Sequence, residues 1–170
     1  MSTDVDPDDL RAALIAAFPA EPITRDTIDE PLANWDVYEE AGELSMLEGK
    51  TWLELDAAVV EHHDVLMPYA GNALFRATLP AYLLYLVEHP AYNEVPFHVG
   101  GQLSRADDPT DLKTIDRRVA PLTAGQRAAV RRVIGYLTTR EPMKEVMARA
   151  LETWDRVLAG EVVSSDNQRT

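Results

Sequence analysis

Leu10, Leu14, Ile15 and Phe18 recur at helical spacing behind Asp6 and Pro7, and Pro19 and Pro22 close the run. The pattern predicts a first helix over 7–18, with Asp6 as its cap and Pro7 in its first turn. From 19 to 50 the apolar positions thin out to Ile28, Leu32, Trp35, Val37 and Tyr38 among three prolines and many acids. That stretch reads as an irregular wrap holding one short strand or helical turn, pinned by Trp35 and Tyr38. A stripe returns at Trp52, Leu55, Val59 and Leu66, and Thr51 with Glu54 three residues on forms a capping box. These features predict a second helix over 51–66, with His62 and His63 on the two flanks of its apolar face.

The most apolar run is "LFRATLPAYLLYLVEHP", Leu74 to Pro90. Phe75, Leu79, Leu83 and Leu86 form one side of a helix, but Tyr82, Leu84 and Tyr85 spread apolar surface around most of it. A helix apolar nearly all round is central, so a core helix is expected at 73–89, capped by Asn72. Pro80 has no N–H to give the carbonyl of Arg76, which predicts a kink or a fresh start there. Beyond Pro90 the chain is rich in proline and glycine up to Leu122, and it reads as mostly loop with a turn of helix near 110–116. Its length is itself a sign of unread secondary structure.

Two further helices follow. Thr123 and Gln126 box the first, whose stripe is Val130, Val133, Ile134 and Leu137. The second runs from Pro142 to Gly160, with Met143, Val146, Met147, Ala150, Leu151, Trp154, Val157 and Leu158 on its apolar face. Glu145–Arg149 and Glu152–Arg156 are its expected ion pairs. The short 138–141 link folds the two into an antiparallel hairpin. The fold expected is therefore mainly α: one compact domain over 1–170, about five helices around a central kinked helix, with flexible ends at 1–6 and 162–170.

Composition then excludes chemistry. With no cysteine, disulfides, thiol nucleophiles, cysteine-held zinc and iron–sulfur clusters are ruled out. The acidic start lacks the positive charge of a secretory leader, and the longest apolar stretch, Leu79–Val87, is far short of the ~20 residues a membrane span needs. A cytoplasmic protein without membrane contact is expected.

The net charge of −13 is unevenly placed. Residues 1–64 carry 17 of the 29 acids against three bases, a net −14, and the rest of the chain is close to neutral. Such a surface repels nucleic acid and attracts a basic protein. Arg117, Arg118, Arg127, Arg131 and Arg132 form a basic cluster, read as an internal complement to the acidic third.

Candidate chemistry is sparse. Glu61, His62, His63 and Asp64 sit together, and His89 and His98 lie downstream, but no zinc-type spacing joins them. The metal assignment is therefore none, with those four histidines as the candidates. Gly100-Gly101 belongs to no phosphate-binding or nucleophile-elbow motif and reads as a turn; no cofactor is expected. Arg76, Pro80, Trp52 and Tyr82 are assigned structural roles. Arg76, inside an apolar run, requires a partner, either the carbonyls freed by Pro80 or an acid of the first third.

Gly49-Lys50-x-Trp52-x-Glu54-Leu55, Phe75-Arg76-x-x-Leu79-Pro80-Ala81-Tyr82-Leu83 and Leu122-Thr123-x-x-Gln126-x-x-Ala129-Val130 together resemble a bacterial family catalogued as domain of unknown function 6714. The likeness spans about residues 10–140. Gly71-Asn72 stands where that family tends to show a threonine–proline pair. The resemblance implies a single compact domain and no assigned activity.

Skewed charge and missing catalytic motifs favour a non-enzymatic interaction module, immunity- or antitoxin-like, whose acidic third docks a basic partner. The alternative is an enzyme or small-ligand binder using a cleft beside His62, His63 and the 90–122 segment. The oligomeric state is not legible in these residues.

Overall fold

The computed structural model describes residues 5–89, 93–104 and 115–160. Among them helices dominate and no strand occurs. The α-helices are α1 (Pro7–Ala17), α2 (Arg25–Ile28), α3 (Ala57–His62), α4 (Leu66–Tyr69), α5 (Asn72–Glu88), α6 (Val95–Leu103), α7 (Ile115–Val119), α8 (Ala124–Leu137) and α9 (Lys144–Leu158). Most of the expected flexible ends, 1–4 and 161–170, lie outside the described residues, as does most of the turn expected near 110–116.

The core is built around α5. Every residue from Thr78 to Val87 is buried, and α1, α2, α3, α6, α7 and α8 all pack against it. A side chain inward at every angle is what the all-round apolar pattern demanded. The helix continues through Pro80 rather than restarting there. Asn72 does not cap it. Glu30 reaches in from the wrap instead, its carboxylate accepting the Ala73 N–H at 2.7 Å, and an acid is well placed at a helix N-terminus. Glycine at 71 makes room, because a Cβ there would stand 2.3 Å from the Glu30 Oε2.

The end helices follow their local signals. Asp6 caps α1 through the Asp8 N–H, and Thr123 with Gln126 closes a capping box on α8. Gly160, at φ +80, ends α9 in the left-handed conformation glycine favours. α8 and α9 form the expected hairpin, α1 lies along α8, and Trp154 of α9 is fully buried. Asp155 of α9 pairs with Arg131 of α8 at 2.8 Å, a link between the two helices of the hairpin.

Two expectations fail for physical reasons. The helix foreseen over 51–66 is broken into a 3-10 turn at Trp52–Glu54, then α3, then α4. The Thr51–Glu54 box is present, but Asp56 restarts the chain by accepting the Val59 N–H at 3.0 Å, the competition between a short polar side chain and the helix backbone. The supposed loop after Pro90 contains α6, with Pro96 in its first turn. Gly100 is not a turn residue: a Cβ there would come 2.4 Å from Val146 Cγ1, so the glycine is where α6 meets α9. The 19–50 wrap holds α2 and 3-10 turns at Trp35–Val37 and Ala41–Leu47, tied down by the Trp35 indole N–H on the Ile28 carbonyl at 2.8 Å. No described helix is long and apolar enough to cross a membrane.

Candidate functional sites: a histidine pair, an acidic face and an arginine-lined cleft

The break after α3 decides where the histidines go. His62, the last residue of α3, stays on the surface, and its Nε2 meets Glu43 Oε2 at 2.5 Å. His63 lies past the helix end, where the backbone turns, and its ring is fully buried. The Tyr38 hydroxyl and His63 Nδ1 share a hydrogen bond of 2.8 Å, and the Tyr82 hydroxyl donates to the His63 carbonyl at 2.5 Å. The Nε2 of His63 is buried and has no hydrogen-bond partner.

The electrostatics of the pair are opposed. The Glu43 carboxylate raises the His62 pKa by holding the charged form. Burial lowers that of His63, and the His62 charge adds to the effect. Burial, then Glu40, raises the Tyr38 phenol well above its ordinary range, so it stays protonated. Ligand atoms of Glu43, His62 and His63 lie within 4.8 Å of one another, a nitrogen and oxygen set of the kind divalent metals use. His62 and Glu43 are already engaged with each other, however. His89 stacks on Tyr85 at 4.9 Å, and His98 sits on α6; neither joins the pair. Glu43 was missed because it lies 19 residues away in a 3-10 turn that points Leu44 and Leu47 inward and Glu43 outward. No local spacing signals that.

The basic cluster is not one surface. Arg118 is fully buried and donates to the carbonyls of Met67 and Ala70, to Gln102 Oε1 and to Asn72 Oδ1, with its guanidinium 4.2 Å from the centroid of the Phe75 ring. Arg131 is taken by Asp155 on α9. Arg132 reaches Asp9 at 3.9 Å, and among the described residues Arg117 and Arg127 pair with no carboxylate. Little of the expected internal neutralisation therefore occurs. Asp36, Glu39, Glu43 and Glu48 are exposed beside the exposed apolar side chains of Val37 and Met46.

A cleft of about 310 Å³ opens over the first half of α5. Ala73, Arg76, Ala77 and Pro80 form its floor, Phe18, Pro19 and Trp52 one wall, and Pro121, Leu122 and Gln126 the other. Trp52 is buried and its indole N–H is held by the Phe18 carbonyl at 3.2 Å. Arg76 is half-buried. Its hydrogen bond goes to the Arg118 carbonyl at 3.4 Å, not to an acid of the first third, and Glu30 acts on it only through space. Burial lowers its pKa and Glu30 opposes this.

Comparison of this chain with protein-family models, with curated proteins and with solved structures finds no match.

Proposed function

We propose that this is a cytoplasmic, non-enzymatic interaction module that docks a basic protein through its acidic first third. One observation carries the reading: most carboxylates of that third face solvent, and of the arginines expected to neutralise them Arg132 reaches one, Asp9, while two are taken up elsewhere. Arg118 is consumed in the core and Arg131 by α9. Around Val37 and Met46, Asp36, Glu39 and Glu40 have no ion-pair partner among the described residues. Exposed apolar side chains and unspent negative charge on the same third of the chain suit a basic amphipathic partner and speed its encounter at low salt. The same charge disfavours nucleic acid.

The test is a comparison of two baits in extract of the source cell, the wild type and the triple variant Asp36→Asn, Glu39→Gln, Glu40→Gln. The expected result is one basic protein retained at low salt by the wild type, released by added salt and absent from the variant. Equal retention by both baits, or no basic protein on either, refutes the reading.

A further inference from the structure

Of the three features above, the cleft over α5 is the one that leaves a charged group short of partners. Four positions of that helix, Ala73, Arg76, Ala77 and Pro80, face it at helical spacing, and three of the four carry short side chains. Small residues on an otherwise bulky helix leave the hollow, and Arg76 is the one charge they surround on that floor. A guanidinium has five N–H donors in a planar fork. Here a single bond of 3.4 Å to the Arg118 carbonyl is made, and no carboxylate among the described residues lies within ion-pair distance. A half-buried cation in this state has lost water without gaining a full set of acceptors, which is the condition an anionic ligand relieves.

The rest of the cleft narrows the ligand. The walls carry the stiff apolar side chains of Phe18, Trp52 and prolines, with the polar Thr27 and Gln126 among them. Glu21 also lines the cleft and is exposed, so its charge disfavours a dianion more than a monoanion. At about 310 Å³ the cleft lies at the small end of ligand pockets, which run from ~300 to ~1,000 Å³, and suits a single ring with a short polar group.

From this we infer that the cleft over α5 binds a small monocarboxylate with an aromatic or branched apolar body, its carboxylate forked by Arg76 and its body against Trp52. This site is independent of the acidic docking face: neither Asp36, Glu39 nor Glu40 lines it.

The experiment is an NMR titration of the full chain with benzoate, with neutral benzamide and with inorganic phosphate, following the Trp52 indole and Arg76 Nε–H signals. Benzoate is expected to shift both with saturation at millimolar concentration. Benzamide and phosphate are each expected to bind at least tenfold more weakly. Arg76→Gln should abolish benzoate binding. Should that variant fail to fold, Ala77→Met, which fills the hollow and leaves the arginine, should abolish it as well. Benzoate and benzamide binding alike, phosphate binding more tightly than benzoate, benzoate shifting neither signal, or unchanged binding in either folded variant would each overturn the inference.

Discussion

Replacing Arg118 by methionine tests whether the arginine cluster was correctly divided into core and surface. The side chain is fully buried, and its N–H groups serve the carbonyls of Met67 and Ala70 at 3.3 and 2.9 Å. These lie in and just after α4, whose last carbonyls have no helical donor. Methionine matches the stem in bulk but leaves both acceptors buried without a donor, at a cost of ~1–3 kcal/mol each. Asn72 and Gln102 also lose their guanidinium bonds, and Phe75 loses a cation over its ring at 4.2 Å. Because these terms are coupled, they do not add freely, and two carbonyls left without donors put the loss at ~2–6 kcal/mol. At ~2–4 °C per kcal/mol for a chain of this size, the melting temperature should fall by ~10 °C. Urea unfolding followed by circular dichroism measures it. Arg118→Lys keeps the charge but not the planar fork, and should fall between methionine and wild type. An Arg118→Met protein within ~1 kcal/mol of wild type would refute the role given to this residue.

Three other outcomes are expected. Gly100→Val should destabilise by ~1–3 kcal/mol through collision with Val146, while Gly101→Ala, where a Cβ meets nothing within 4 Å, should be neutral or stabilising by ~1 kcal/mol; paired urea midpoints check both. Thr123→Ala removes the α8 cap and should cost ~1 kcal/mol by the same measurement. His63, whose pKa is lowered in the fold, contributes a loss of stability as pH falls below its ordinary 6.5; His62, whose pKa is raised, contributes stability that is lost as pH rises through its folded value above 6.5. Melting temperatures between pH 8 and 5 should therefore fall toward acid less steeply in His63→Gln than in wild type, and identical slopes would contradict the buried neutral imidazole.

What the sequence disclosed and what it hid separate by range of interaction. α1 and α8 were legible because Asp6, Thr123 and Gln126 cap their own helices within three residues, and α5 because its pattern requires burial on all sides. The break at Asp56 was missed because a capping aspartate and a mid-helix aspartate look alike until the tertiary packing selects one. α6 was hidden because Gly100 is spent on the side chain of Val146, 46 positions away, and Gly–Gly read locally is a turn. Arg118 looked like surface charge for the same reason: its acceptors at Met67 and Ala70 are about fifty residues distant. The candidate sites follow this rule. Arg76 and Pro80 were singled out from the chain, but the cleft they share with Trp52 and Gln126 exists only once four segments meet.

The most direct measurement of the central claim is the salt dependence of affinity between this protein and the basic partner it retains, by titration calorimetry at several salt concentrations. The account predicts that affinity falls steeply as salt rises, and that neutralising Asp36, Glu39 and Glu40 together both weakens binding and flattens that dependence. An affinity indifferent to salt, or a triple variant that binds as the wild type does, would contradict it.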